Sequence, residues 1–324
     1  MFHFTGRNGE YCLAPTGEEI VLDFVNNNIE SYRDLPFNIF QIGMKYRDEL
    51  RVRGGLLRSK EFLMKDGYSF HSNQRSLEDE YEKMKKAYLE IFSKLGLEVK
   101  TVKAISAEMG GKVSEEFMLP SLIGEDKMLF DEKTGLALNI ELLEDKELLE
   151  QYLEEYKEID VNDFAVIQCI ELGHIFQLGT RYSEKMNGYF TDSDGDRKPY
   201  LMGCYGIGLG AICEQTCDEE GLKWPMVVSP YECDIIPVKG FDSQAEEVYE
   251  KLSAKGHDVL FDDRDIGFGA KIKDGKLLGI PYLVIIGKNF EKNGSVELES
   301  RETGEKVLIK LDELIEESVN WKKI

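Results

Sequence analysis

The chain has 324 residues, of which 42% are hydrophobic and 31% charged, with a formal net charge of −22. This length and composition imply about two folded domains and exclude a disordered or low-complexity chain. The charge is uneven: residues 1–100 carry 15 Lys and Arg against 16 Asp and Glu, residues 101–224 carry 11 against 26, and residues 225–324 carry 14 against 20. No basic patch is broad enough to hold a phosphate polymer by counterion release, so any nucleic-acid contact must rest on local cations.

The six cysteines, Cys12, Cys169, Cys204, Cys213, Cys217 and Cys233, form no CxxC pair. Only Cys213 and Cys217 have helical spacing, and free thiols of a reducing compartment are a better reading than a zinc site. The start, MFHFTGRNGEY, lacks a basic stretch followed by an apolar run, and the most apolar runs, such as YLVIIG at 282–287, are far too short to span a bilayer. The expectation is a cytoplasmic protein with no membrane association.

Residues 18–34 place Ile20, Val21, Phe24, Val25, Ile29 and Tyr32 at helical spacing. Residues 37–50 alternate, with Phe40, Ile42, Met44 and Tyr46 on one face and Lys45, Arg47 and Glu49 on the other, which predicts a half-buried strand. Residues 51–60 hold Gly54-Gly55 and three arginines and read as a loop, and 61–71 read as a second strand. Ser76 is the expected cap of a long helix to about residue 95. The acidic stretch 141–160 has helical periodicity, and 199–215 runs from strand through Gly-rich backbone into helix. After Trp224-Pro225 the pattern becomes strand 233–238, helix 242–256, strand 258–262, helix 270–278 and strand 282–286, a βαβαβ unit with a parallel sheet. A hairpin turning near Glu302-Thr303-Gly304 and a last helix follow, so the domains are expected at 1–224 and 225–324.

The two strands 37–50 and 61–71 flank an arginine-rich loop. Arg47, Glu49 and Asp66 are expected on one sheet face, where guanidinium groups match phosphate or carboxylate bidentately. On pattern alone this is either a floor for an anion or a solvated face. The stretch KYRDELRVRGGLLRSKEFLMKDGYSFH resembles motif 2 of class II aminoacyl-tRNA synthetases, and of the bacterial-type prolyl-tRNA synthetases in particular. LAPTGEEI (13–20), IELGHIFQLGTRYSEK (170–185), MGCYGIG (202–208) and DDRDIGFGAKIKDGKLLGIP (262–281) resemble, in order, that family's Thr-x-Glu loop, the segment before motif 3, motif 3, and the anticodon-binding domain.

The resemblance implies an α+β fold: a class II antiparallel-sheet core followed by a smaller α/β anticodon-binding-like domain. It implies a ligase of protein biosynthesis that uses ATP and Mg²⁺ to join proline to tRNA(Pro). Thr16 and Glu18 would hold the proline amine, with Phe70 and His71 closing the pocket. Arg47 would bind the α-phosphate and the proline carboxylate, Glu49 would position adenine and amino acid, and Arg58 would reach the β- or γ-phosphate. Glu171 would face the ribose or Mg²⁺ with His174 beside it, and Gly203, Gly206 and Gly208 would admit the nucleotide close to backbone. tRNA contact is expected to be weak and to rest on cations such as Arg264, Lys271 and Lys273.

Three departures qualify the resemblance. The family's motif 1 region is absent, which implies a homodimer or a partner subunit that supplies it. The family's editing insertion is absent, with 141–160 in its place. GIGLGAICEQ is shorter than the family's motif 3 by about four residues, close to one helical turn, and lacks the motif 3 arginine. Reduced turnover is expected, and two other readings stay open: a proline-sensing or regulatory paralogue, and an activating enzyme that serves a carrier protein.

Overall fold

In the computed structural model, which describes residues 1–105, 113–154, 164–215, 217–218 and 220–318, the chain divides into two units by contact: residues 1–93 with 97–214, and 94–96 with 215–324. The first unit opens with a hairpin of β1 (His3–Gly6) and β2 (Gly9–Cys12). Helix α1 (Glu18–Asn26) follows, with Glu18 and Glu19 in its first turn, where the helix dipole favours negative charge. It is much shorter than the periodicity of 18–34 suggests. Asn27 and Asn28 turn their side-chain amides back onto the carbonyls of Asp23 and Phe24, competing with helix propagation, and a 3₁₀ turn covers Tyr32–Asp34.

Strands β3 (Phe37–Tyr46) and β4 (Glu61–His71) pair antiparallel, Phe37 opposite Phe70 and Tyr46 opposite Glu61. Helix α2 (Gln74–Lys94) buries Leu77, Tyr81, Tyr88 and Phe92 along one stripe. Its cap is Asn73, whose Oδ1 accepts from the Ser76 N–H at 3.0 Å; the Ser76 hydroxyl, the expected cap, instead bonds His71 Nδ1 at 2.8 Å. Strands β5 (Lys100–Lys103), β6 (Val113–Pro120), β7 (Asp126–Phe130) and β8 (Ala137–Asn139) precede α3 (Lys146–Glu154). The acidic 141–160 stretch is thus a 3₁₀ turn over Ile140–Glu144 and then α3, and its last residues, 155–160, lie outside the described residues. The 15-residue β9 (Ala165–Gly179), α4 (Arg181–Lys185), the hairpin of β10 (Tyr189–Thr191) and β11 (Arg197–Pro199), then β12 (Leu201–Gly208) and α5 (Leu209–Gln215) complete the unit. Eight strands form one sheet in the order β3-β4-β12-β9-β6-β5-β8-β7, antiparallel except for the single β5–β8 bridge. One face packs α2 through Tyr81, Tyr88, Phe92, Phe117 and Tyr205; on the other, α1 buries Leu22 and Val25 against Tyr68 and Phe70.

The second unit has a small hairpin, β13 (Cys217–Asp218) with β14 (Gly221–Leu222), then β15 (Cys233–Pro237), α6 (Asp242–Ala254), β16 (Val259–Phe261), α7 (Phe268–Leu278) and β17 (Tyr282–Ile286). β15 pairs parallel with both β16 and β17, as the βαβαβ pattern predicts. A short helix not seen in the sequence pattern, α8 (Lys288–Asn293), leads to the hairpin of β18 (Ser295–Ser300) and β19 (Lys306–Lys310) and to α9 (Leu311–Ser318). Its core joins Ile235, Val248, Leu252, Val284, Ile286 and Leu314.

Strand β3 departs from expectation in two ways. It stops at Tyr46, so Arg47 and Glu49 lie beyond it rather than on its face. Its burial is also inverted: Phe40, Ile42 and Met44 are 65%, 59% and 43% exposed, while Lys45 is 3% exposed. β3 is the edge of the sheet; on its apolar side only the start of the strand meets α2, through Asn38 with Glu80 and Met84, among the described residues, and its polar side is roofed by the loop that precedes α1.

Candidate active site

Gln41 on β3, Asp66 on β4, Gly206 on β12, His174 on β9 and Glu116 on β6 stand directly opposite one another in successive strand pairs. Directly opposed residues share a sheet face, so this row is the polar floor of one face. Glycine in its centre leaves room above the sheet: a Cβ on Gly206 meets nothing closer than Met64 at 3.6 Å, and on Gly208 nothing within 4 Å. Gly203 differs, because a Cβ there would lie 2.3 Å from the Tyr205 hydroxyl; it serves packing on the opposite face.

At one end of the floor, Glu18 is fully buried at the start of α1. Its carboxylate accepts from Thr16 Oγ1 at 2.5 Å and from the Cys204 thiol at 3.1 Å. Among the described residues no cation pairs with it. Below it, Asp66 accepts from Gln41 Nε2 at 2.8 Å and from the Tyr68 hydroxyl at 2.7 Å, and Lys45 Nζ lies 2.7 Å from its other oxygen. Phe70 is fully buried beside this group, stacked on Phe37 at 5.1 Å and edge-on to Tyr200. His71 is the next residue of the strand and so points to the opposite face. The structure therefore does not bring His71 to Thr16 and Glu18. Burial pushes its imidazole down to about 4, its Nδ1 meets Ser76, and its buried Nε2 has no partner.

At the other end, Glu171 and His174 are three residues apart, which on a regular strand places them on opposite faces. A register shift between Phe117 and Met118 sets Met118 opposite Glu171 and Phe117 opposite Gly173, and this bulge returns Glu171 to the face of His174. His174 Nδ1 lies 3.1 Å from Glu171 and 3.7 Å from Glu116, and its Nε2 meets the Ser114 hydroxyl at 2.5 Å. Burial and the neighbouring Glu171 push the Glu116 carboxyl well up, against the hydrogen bond from Asn139. Burial and Glu171 also raise Asp126 to about 6. Packing around Glu171 raises its pKa too, but the hydrogen bond to His174 and the nearby guanidiniums of Arg47 and Arg58 outweigh it and hold this carboxyl below its usual range. Donor atoms of Glu116, Glu171 and His174 all fall within 4.8 Å of one another.

The cations come from the loop after β3. Arg47 is exposed, its Nε donating to the Pro15 carbonyl at 3.3 Å and its guanidinium 5.0 Å from the Phe62 ring centre. Arg58 lies 3.8 Å from Glu49 and 3.0 Å from Glu125, which also holds Arg53 at 2.6 Å. Glu49, Arg58 and Arg47 are thus brought to the Glu171 end of the floor. Sequence reasoning missed Glu116, Asp126, Cys204 and the Gln41-Lys45-Tyr68 group. The signal for Glu116 is VSEEFMLP, an acidic pair inside an apolar strand: Glu115 faces Lys85 and Lys103 on one side and Glu116 faces His174 on the other.

In the second unit the expected phosphate contacts are mostly committed elsewhere. Arg264 forks onto Asp262 at 2.7 and 2.8 Å and reaches Asp274 at 2.8 Å, and Lys271 is buried and donates to the Asp262 carbonyl at 2.6 Å. Lys273 is exposed.

An antiparallel floor that gathers two arginines from a loop after its edge strand, with acidic groups opposite, defines the class II synthetase core. The tRNA synthetase class II core domain of the glycine, histidine, proline, serine and threonine group matches residues 2–216, and an anticodon binding domain matches residues 232–321; the chain belongs to this family. Within it the chain is prolyl-tRNA synthetase-like. It is 40% identical over 94% of its length to a proline–tRNA ligase of Sulfurimonas denitrificans, covering 74% of that protein, and 32% identical over 99% of its length to one of Caldicellulosiruptor saccharolyticus, covering 82%. A crystal structure of prolyl-tRNA synthetase from Cryptosporidium parvum complexed with halofuginone and AMPPNP shares the fold, with a TM-score of 0.73 at 20% identity over 98% of this chain. The chain spans 60% of the length of that structure. Among the described residues no helix is long and apolar enough to cross a membrane.

Proposed function

We propose that the chain activates proline with ATP and passes the prolyl group to tRNA(Pro), with residues 1–224 catalytic and 225–324 binding the anticodon. The observation that carries this reading is Glu18, fully buried, bonded to Thr16 and paired with no cation among the described residues. A buried carboxylate without a counter-ion is costly, and a small secondary ammonium supplies the missing charge. Activation is an in-line attack of the substrate carboxylate oxygen on the α-phosphorus. A carboxyl–phosphate bond forms, the bond to the bridging oxygen breaks, and pyrophosphate leaves. Two anions must approach, so Arg47 lowers their repulsion at the α-phosphate and Arg58 takes the phosphate tail, exchanging Glu125 for it. Glu49 orients Arg58.

The donor set fits Mg²⁺. Glu171 and Glu116 offer hard carboxylate oxygens, whereas both nitrogens of His174 are engaged by Glu171 and Ser114, so His174 orients Glu171 rather than ligating. Bound there, Mg²⁺ supplies charge neutralisation on the phosphates. The shortened motif 3 leaves α5 without Lys or Arg. Loss of one such contact corresponds to about 2–4 kcal/mol at the transition state, or about 10²–10³ in rate. The exposed apolar side of β3 supports a homodimer or a partner subunit seated on that strand. The free thiols of Cys12, Cys169, Cys204 and Cys233 support a cytoplasmic setting. Contact with tRNA rests on few cations, Lys273 among them. Calorimetric titration with a non-hydrolysable prolyl-adenylate analogue tests the reading: saturable binding is expected, and no binding at millimolar ligand overturns the assignment to proline.

A further inference from the structure

We infer that Tyr68, backed by the Asp66–Lys45 pair, is the positioning residue that seats the Thr16-Gly17-Glu18 loop on the sheet and so sets how tightly the amino acid is held; this rests on the proline reading above. The Tyr68 ring is fully buried. Its oxygen accepts the Gly17 N–H at 3.0 Å and its O–H is donated to Asp66 at 2.7 Å. Burial, with Cys204, Glu18 and Asp66 around it, pushes the phenol far above its ordinary value, so the proton stays in place to be donated. Asp66 is itself locked from two sides, by Gln41 and Lys45. A chain of fixed contacts therefore runs from the β3–β4 pair to the backbone between Thr16 and Glu18.

The seat is tight. A Cβ on Gly17 would fall 2.8 Å from Asp66 Oδ2, 2.8 Å from the Tyr68 oxygen and 2.9 Å from Gln41 Nε2. Gly17 has φ −121°, which any residue adopts, so glycine is required there by this approach and not by backbone conformation. The same sheet face also supplies Cys204, which holds Glu18 from the other side at 3.1 Å. Tyr68 touches neither Thr16 nor Glu18 by hydrogen bond, so its effect on the amine site passes through the loop backbone.

Tyr68→Phe removes the acceptor for Gly17 N–H and keeps the ring; Gly17→Ala keeps every sheet side chain and forces the loop away from Asp66, Tyr68 and Gln41. The measurement is amide hydrogen exchange of peptides covering 13–20 in the ligand-free chain, followed by proline-dependent pyrophosphate exchange. Both variants are expected to lose about tenfold protection in 13–20 while strands 61–71 and 201–208 keep theirs, a change matching one neutral hydrogen bond. The proline KM is expected to rise about tenfold while kcat and the ATP KM stay within about twofold. Unchanged protection in 13–20, or an equal loss across all three kinetic parameters, overturns the inference. If the loop loosens as expected but the parent chain shows no proline-dependent exchange, the seat stands and the proline reading falls.

Discussion

Replacing Glu18 with Gln keeps the size of the side chain and removes its charge. The structure sets opposite signs for the two consequences. For the amine ligand, a charge-assisted hydrogen bond is exchanged for a neutral one, about 1.5–3 kcal/mol against about 0.5–1.5. The difference of about 1–2 kcal/mol corresponds to about a 5- to 30-fold rise in the proline KM or analogue Kd. For the ligand-free fold, the parent carries a fully buried carboxylate whose partners among the described residues are Thr16 and Cys204. Removing an uncompensated buried charge costs no stability and can add some, so the Tm of Glu18→Gln is expected to equal or exceed that of the parent. The assay pairs calorimetric titration of the prolyl-adenylate analogue with a thermal melt. A fall in Tm of more than about 4 °C, which for a chain of this size means about 1 kcal/mol or more, together with unchanged affinity would show that Glu18 is a structural anchor and not the amine ligand.

Arg47→Ala is expected to abolish nucleotide-dependent turnover with little loss of stability, because Arg47 is exposed and its contacts to the Pro15 carbonyl and the Phe62 ring lie at the surface; full pyrophosphate exchange in this variant would remove Arg47 from the α-phosphate. In the second unit, Asp234 is 2% exposed, and burial together with Asp262 raises it to about 7. A carboxyl raised in the folded state binds its proton there but not in the unfolded chain, so stability falls as pH rises from about 4 to about 7, by about 1.4 kcal/mol per unit, and is flat above. Asp234→Asn is expected to abolish this slope and to raise the Tm at pH 8 more than at pH 5; an equal shift at both values would contradict the assignment.

The second unit was legible because its strands announce themselves: YLVII is a continuous apolar run of the kind buried on both faces of a parallel sheet, CDIIP is one interrupted only by Asp234, and their helices fall between them. The arginine loop between two strands was legible for a similar reason, since Gly54-Gly55 interrupts two clear alternations. What misled was pattern read without partners. The alternation of 37–46 is real, but which side is buried depends on Lys45 finding Asp66 and on the Gly17 loop roofing them, contacts set 20 to 30 residues away. Asn27 and Asn28 ended a helix that apolar spacing alone would continue. The bulge that unites Glu171 with His174 leaves no mark on a period-two reading. The sequence pattern likewise does not show that Arg264 and Lys271 have carboxylate and carbonyl partners in their own segment.

The most direct test of the account is proline-dependent pyrophosphate exchange by the intact chain with ATP and Mg²⁺, run beside the full-length relative of Sulfurimonas denitrificans. The account predicts exchange that requires proline, is lost in Arg47→Ala, and runs about 10²–10³ below the relative because no motif 3 cation supports the phosphate tail. A rate within about tenfold of the relative would mean that another cation has taken that place, and no proline-dependent exchange at millimolar substrates would contradict the proposed activation of proline outright.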